Sequence, residues 1–433
     1  MKSERPGAMS PTDRGIGIVV FALTAILFVW RLSTPSQLVF DETHYVRQGL
    51  EFFRLEDWTN HSHPPFGKWL IGASQALLGE NAFAWRIPGA VLGAMVPTCV
   101  YAVMRMFGFS VQEAIAAAAL TTLNQTLFVQ ARTAMLDIYA LAFFALSVTF
   151  LIWSAKRVRS RGGATFGLIL SGVLLGLGAA TKWTTGINMV LVWSGIFIWR
   201  LTETSPNGWV LPRLFGSGFA GWRHFSLLGA GLRQGVIAIL VYLLTFLPFL
   251  FMSQGLDLME LHQNMFSDVS GPLAEHPFSS RWWEWPIMLE PIWYYFERPE
   301  GMSYGDQAIF LVGNPLVYWL GLPAMLIVFI LGLLRGDGAM LAIAGAFLAF
   351  WLIWAAIPRD LTFSYYYEPA ATLLGMGIVA FIARILPVTS RPYVMWIWLL
   401  LAAACFGFFY PVLAGVPLQP DEWLRYRWFE IWG

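Results

Sequence analysis

The chain has 433 residues, of which 57% are apolar and only 12% charged, with a net charge of +1. The charged share is about half that of a soluble domain, which excludes a water-soluble globular protein, and no basic excess marks a nucleic-acid binder. Cys99 and Cys405 both lie in apolar runs, which excludes a disulfide framework and a Cys-based zinc site. Apolar runs of about 20 residues recur throughout, so the expected fold class is an all-α polytopic membrane bundle.

Residues 1–14 are polar and lack a cleavage-site pattern, so the first apolar run, Ile16 to Leu32, is expected to be a retained span rather than a signal peptide. Eleven spans are expected, near 15–33, 85–106, 111–130, 137–155, 165–181, 185–201, 232–252, 308–333, 338–357, 366–386 and 393–414. Basic residues gather on one side, at Arg105, Lys156 to Arg161, Arg213, Arg223, Arg233, Arg335 and Arg384 to Arg391. The positive-inside rule makes that side cytoplasmic, with the N-terminus inside and the C-terminus outside. All but five of the 26 acidic residues (Glu4, Asp13, Glu113, Glu203 and Asp337) then fall on or near the outer face, with every histidine except His224.

A single membrane domain is expected over 1–433. It has a cytoplasmic tail at 1–14, a first outer loop at 34–84, a cytoplasmic loop at 202–231, a second outer loop at 253–307 and an outer tail at 415–433. Neither outer loop is long enough to be an independent domain. Thr43 to Leu55, Phe66 to Leu78 and Leu256 to Asn264 read as helices on the membrane surface. The aromatic stretch Trp282 to Phe296 reads as an interfacial belt, or alternatively as an acceptor groove.

Ionisable groups next to hydrocarbon are costly, and this marks the acidic pair Asp41-Glu42 just beyond the first span. Lys68, Arg86, Arg132, Asp137, Lys182, Arg359, Asp360 and Glu368 also lie near outer span ends. Carboxylates beside fixed cations suit transfer of a group away from a phosphate. The cations bind the leaving charge and a carboxylate takes the proton of the incoming nucleophile. Taken singly, each Arg or Lys reads more readily as a snorkelling anchor. The prolines of His63-Pro64-Pro65 bar a helix until Phe66 and so hold His63 and Lys68 in place. His61-Ser62-His63 is a weak metal pattern.

Together these segments resemble the protein O-mannosyltransferase family. The matching residues are Phe40-Asp41-Glu42-Thr43-His44-Tyr45, then His63-Pro64-Pro65-Phe66-Gly67-Lys68, Arg86-Ile87-Pro88, Ala131-Arg132-Thr133-Ala134-Met135-Leu136-Asp137 and Lys182-Trp183-Thr184. Later come Trp285-Pro286, Gly313-Asn314-Pro315, Pro358-Arg359, Phe363 to Tyr367 and Pro369. The match runs from residue 40 to about 370. It lacks the β-trefoil domain of eukaryotic members, since 253–307 leaves no room for one, and it lacks a histidine found in many members among Ser364 to Tyr367.

The resemblance implies a GT-C type glycosyltransferase fold in a bacterial plasma membrane, with the active site outside. It implies inverting transfer of a mannosyl or similar hexosyl group from a polyprenyl-phosphate donor to Ser/Thr hydroxyls of polypeptides. Asp41 is then the expected base, Glu42 its helper, and Arg132, Lys182 and Arg86 the donor-phosphate cations. His63, Lys68, Asp137, Arg359 and Tyr366 are expected as substrate-binding or supporting residues, with Asp137 a helix-start acid or the partner of Arg132. No divalent metal is expected to be obligatory, and a dimer is a family trait. The main rival is an aminoarabinose-transferase-like enzyme acting on lipid A. The remote rival is a transporter, disfavoured because no ionisable groups meet at the midplane and no repeat is visible.

Overall fold

The computed structural model describes residues 10–432 except 57, 157, 159, 203–215, 217–223, 272–275, 299–304 and 360. Glu4, Arg157, Arg159, Glu203, Arg213, Arg223, Asp360 and most of the 202–231 loop therefore lie outside the described residues. Helix α1 (Pro11–Val29) starts where Ser10 and Asp13 make a reciprocal capping box around Pro11 at the first helical position, with Ser10 Oγ accepting from the Asp13 amide at 3.0 Å. It is followed by two shorter helices, α2 (Glu42–Phe53) and α3 (Phe66–Leu78), which form the first loop between spans. These cross through glycines. A Cβ on Gly72 would lie 1.8 Å from the Gly49 carbonyl oxygen, and one on Gly49 2.6 Å from the Lys68 carbonyl oxygen. This close crossing brings the start of α2 next to the His-Pro-Pro turn.

Nine helical segments among the described residues are long and apolar enough to cross a membrane. Two expected spans differ from these. The 111–130 run breaks into α5 (Val111–Thr122) and α6 (Gln125–Ala131), because Asn124 turns its side chain to cap α6 instead of continuing the helix. The 185–201 run forms α9 (Thr184–Thr202). The most enclosed helices are α4 (Ala82–Met106), α7 (Leu136–Lys156) and the helix Glu368–Ile385, whose small residues allow close approach. A Cβ on Gly93 of α4, for example, would meet Ala131 Cβ at 2.7 Å.

The second long loop departs from the all-helical expectation. After the helix Leu258–Ser270 it forms a two-stranded antiparallel sheet, β1 (Ile292–Glu297) with β2 (Gln307–Leu311), with an irregularity between Trp293 and Tyr295. Much of the aromatic stretch is core rather than an interfacial belt. Trp285 and Tyr294 are buried, and Trp293 stacks on Phe310 at 4.1 Å and donates to the Trp432 carbonyl. The C-terminal tail closes over the same region through Trp432, whose indole donates to the Met288 carbonyl at 2.8 Å. Asn314, at the centre of the Gly-Asn-Pro motif, caps the helix Pro315–Arg335. Its amide donates to the Leu123 and Ala402 carbonyls, tying that helix to the break before α6.

Candidate active site

Asp41 immediately precedes α2, and the residue before it is strained. Phe40 has φ 46°, a left-handed backbone that bulky residues rarely adopt. Its ring is held by stacking on Tyr294 of β1 at 4.4 Å, so the second loop fixes the turn that presents Asp41. The Asp41 side chain is half-buried and accepts one hydrogen bond, from the Tyr45 hydroxyl one helical turn on, at 3.3 Å. Burial raises its carboxyl above the usual Asp range; nearby Lys182 opposes that shift and Asp137 adds to it. Burial and the Asp41 charge hold the Tyr45 phenol well above its ordinary value, so it stays a donor.

Glu42 has a different environment. It is fully buried, and four donors saturate its two oxygens: Arg86 Nε at 2.8 Å, Arg86 Nη2 at 2.9 Å, the Val39 amide at 3.0 Å and the Ala134 amide at 2.9 Å. The remaining Arg86 donors go to the Leu32, Pro35 and Gln37 carbonyls at 3.2, 2.6 and 2.8 Å. A carboxylate and a guanidinium so consumed have nothing left for substrate. Glu42, expected as catalytic helper, and Arg86, expected as a phosphate cation, thus bond to each other and clamp the first loop.

Arg132 also bonds to backbone carbonyls. Its Nη1 donates to the Phe28 and Trp30 carbonyls at 2.7 and 2.6 Å, and Nη2 donates to the Arg31 carbonyl at 2.9 Å. These carbonyls close the C-terminal end of α1, where a cation is favourable. Arg132 thus caps the end of α1, with its Cζ also 5.0 Å from the Phe128 ring centre. Asp137 does not hold it. Both carboxylate oxygens of Asp137 instead accept from Lys182 Nζ, at 2.7 and 2.9 Å.

Lys182 does face the site. Its Nζ lies 5.5 and 5.1 Å from the ring centres of Tyr365 and Tyr366. Arg359 lies over the same Tyr366 ring at 5.4 Å. Arg359 Nε donates to the Leu361 carbonyl at 3.0 Å, while both terminal nitrogens have no hydrogen-bond partner among the described residues. Tyr366 is itself stacked on Trp354 at 4.6 Å, which fixes the ring that both cations share. The His63 imidazole lies near Tyr45 and forms no hydrogen bond among the described residues. Burial and the charges of Lys182, Lys68 and Arg359 push it well below its ordinary value, so it is neutral. Lys68 is buried behind it and donates to the Asn60 carbonyl and side chain at 2.6 and 2.9 Å, which pins the loop. Burial pushes its ammonium down to about 7. No group of three His, Cys, Asp or Glu side chains gathers as a metal-ligand cluster among the described residues; His61 packs on Trp58.

The structure thus joins Asp41, His63, Asp137, Lys182, Arg359 and Tyr366, and sets Glu42, Arg86, Arg132 and Lys68 behind them as supports. Sequence reading missed Tyr45 as the partner of Asp41, although its i, i+4 spacing on a helix was a usable signal. It also missed Tyr294, which comes from a strand about 250 positions away and has no local signature.

Comparison with known proteins agrees with this architecture. Residues 18–250 match the family described as dolichyl-phosphate-mannose-protein mannosyltransferase, and residues 255–432 match the C-terminal four-span region of protein O-mannosyltransferase. A polyprenol-phosphate-mannose–protein mannosyltransferase of Mycobacterium tuberculosis is 27% identical, over 98% of this chain and 93% of its own length. That of Mycolicibacterium smegmatis is 25% identical, over 99% and 95%. An undecaprenyl phosphate-aminoarabinose arabinosyl transferase of Pseudomonas aeruginosa matches only 52% of this chain, at 27% identity. In three dimensions the chain superposes on the Saccharomyces cerevisiae Pmt1–Pmt2 complex with a TM-score of 0.81 at 12% identity, covering 99% of this chain and 93% of the other. It superposes on ArnT of Cupriavidus metallidurans at 0.60 and 17%, covering 92% and 65%. The chain shares the fold of these glycosyltransferases and belongs to the dolichyl-phosphate-mannose-protein mannosyltransferase family.

Proposed function

We propose that the chain transfers a mannosyl group from a polyprenyl-phosphate donor to Ser or Thr hydroxyls of polypeptides on the extracytoplasmic face of a bacterial plasma membrane. The observation that carries the mechanism is Asp41. It is a half-buried carboxylate with a single side-chain hydrogen bond among the described residues, next to a lysine and an arginine that converge on one tyrosine ring. Asp41 takes the proton of the acceptor hydroxyl, and the hydroxyl oxygen bonds to the anomeric carbon. The bond from that carbon to the phosphate oxygen breaks, and its electron pair leaves with the polyprenyl phosphate. One displacement inverts the anomeric centre. The leaving phosphate needs no proton, so one carboxylate suffices where glycoside hydrolysis uses two.

Of the expected donor-phosphate cations Lys182 keeps that role, and Arg359 takes it in place of Arg132 and Arg86. Among the described residues both terminal nitrogens of Arg359 are unengaged, in the planar geometry that suits phosphate. Asp137 orients Lys182, and His63 contributes a neutral imidazole beside the base. These cations meet the phosphate charge, so the reading requires no divalent ion. The decisive experiment is transfer of radiolabelled mannose from polyprenyl-phosphate-mannose to a Ser/Thr peptide in detergent, with and without EDTA. Transfer that persists in EDTA and disappears in Asp41→Asn is expected. Lipid A as sole acceptor, or undiminished transfer by Asp41→Asn, refutes it.

A further inference from the structure

Trp183 follows Lys182 in the turn that joins the helix Arg161–Ala179 to α9, and the two side chains bond to different parts of the outer face. Lys182 Nζ reaches Asp137 and the tyrosine rings of the site, whereas the Trp183 indole donates to the Tyr242 hydroxyl at 3.0 Å. Backbone bonds give the turn its local shape, from the Lys182 amide to the Gly178 carbonyl and from the Thr185 amide to the Lys182 carbonyl. Such local bonds do not fix where the turn stands against the outer loops; its side chains do.

Beyond Trp183 the bonds continue. The Tyr242 hydroxyl lies 2.8 Å from His262 Nε2, and His262 Nδ1 lies 2.6 Å from the Leu258 carbonyl oxygen. The direction of each bond follows from the groups. A carbonyl only accepts, so His262 Nδ1 carries a proton; an indole N–H only donates, so the Tyr242 oxygen accepts from it. In a neutral imidazole Nε2 is then the acceptor, and it takes the Tyr242 O–H. Trp183, Tyr242, His262 and Leu258 thus form one row in which every donor meets an acceptor. The Trp183 and His262 rings also face each other, 15° from parallel with centres 6.4 Å apart. Tyr242 is the middle link, so removing its oxygen breaks both side-chain bonds at once.

The row ends on the helix Leu258–Ser270 of the second outer loop, and that helix has its own anchor. Leu261 and Met265 are buried with Phe52 and Trp58 of the first outer loop in an apolar cluster separate from the main core. Apolar burial is non-directional and sets only that the helix stays down. Hydrogen bonds have a fixed length and angle, and they add the direction. We infer that Tyr242 and His262 are positioning residues for the donor: acting through Trp183, they hold the turn so that the Lys182 ammonium stands where the donor phosphate arrives. Neither touches substrate. The inference rests on the reading of Lys182 as a donor-phosphate cation, and it makes the second outer loop a support of the donor site as well as of Asp41.

The test measures kcat and the KM of each substrate separately, with polyprenyl-phosphate-mannose and a Ser/Thr peptide. Lys182→Gln comes first, because a glutamine amide still bonds to Asp137 but carries no charge. A donor KM about tenfold or more above wild type is expected, the range of a hydrogen bond to a charged group. An unchanged donor KM in Lys182→Gln overturns the phosphate role of Lys182 itself. With that role in place, Tyr242→Phe and His262→Ala are expected to raise the donor KM about three- to tenfold, as for one hydrogen bond, with kcat and the peptide KM within about twofold of wild type. His262→Gln offers an amide oxygen to the Tyr242 hydroxyl and should recover most of the loss. A general structural defect would instead lower kcat and raise both KM values together, and that pattern overturns the inference. The last arm is a double-mutant cycle. In a Lys182→Gln background, Tyr242→Phe should change the donor KM by less than about twofold, since the group it positions is gone. The full wild-type effect persisting in that background overturns the inference while leaving Lys182 as a phosphate cation, and so does an unchanged donor KM in Tyr242→Phe alone.

Discussion

Substituting Glu42 by Gln separates a structural clamp from a catalytic acid at adjacent positions. Four donors converge on the Glu42 carboxylate, two of them from Arg86, which is only 1% exposed. A glutamine retains one accepting oxygen, and its NH2 then faces the donors that bonded to the other. Arg86 keeps its charge with no carboxylate to offset it. Removing one partner of a buried ion pair costs about 3–5 kcal/mol. In a chain of this size, with an unfolding entropy of roughly 0.9 kcal/mol/K, that corresponds to a melting-point drop of about 3–6 °C. The assay is thermal unfolding in detergent at a fixed scan rate, since membrane proteins unfold irreversibly, run beside mannosyl transfer at a temperature where the variant is folded. The clamp predicts a large melting-point loss with residual activity in the folded fraction. Asp41→Asn should behave in the opposite way, because the Asp41 side chain accepts only one hydrogen bond among the described residues and its buried charge is already costly. If Glu42→Gln melts like wild type but transfers nothing, the clamp reasoning is wrong and Glu42 belongs to the chemistry.

Three further outcomes follow from the same geometry. The Asp41 carboxyl is raised above the ordinary range near 4 and works ionised, so the acid limb of kcat/KM should lie above that range; a limb at or below pH 4 would contradict it. Its ionisation also costs stability as pH rises through the raised value, and Asp41→Asn should remove that slope. Arg359→Ala is expected to raise the donor KM at least tenfold with little change in melting point, while Arg132→Ala, which uncaps α1, should lower the melting point and leave the donor KM unchanged. The reverse pattern would restore Arg132 as the phosphate ligand. Lys68 binds its proton less tightly folded than unfolded between about pH 7 and 10.5, so stability rises with pH across that window. The melting-point advantage of wild type over Lys68→Met should grow from pH 7 to 9, and a constant gap would show that the Lys68 amine does not titrate there.

How much of the site was legible in advance depended on how local the signal was. Asp41 was marked by its position beyond a span and by the motif around it. The halt before α3 followed from Pro64-Pro65, and the Gly313-Asn314-Pro315 motif does start a helix. The cations were a different matter. Arg86, Arg132, Lys182 and Arg359 all lie near span ends, and no sequence spacing tells them apart. Asn124, polar in an apolar run, broke a helix that composition alone drew as continuous.

The sequence by itself determined that this chain spans a membrane many times, that its acids gather at one set of loops, and that Asp41 is the residue to test first. Those are properties of composition and short-range order, and hydrophobicity expresses them wherever the segments pack. Only the tertiary structure decided which cation is spent on the protein's own carbonyls and which is left for a ligand. Arg86 and Arg132 meet backbone from the end of α1 and the loop after it, at separations of about 50 and 100 residues, whereas the terminal nitrogens of Arg359 meet none among the described residues. A buried guanidinium must find acceptors, and which strand of chain supplies them is fixed by how distant helices cross, here at the glycine contact of α2 with α3 and at the stacking of Phe40 on Tyr294.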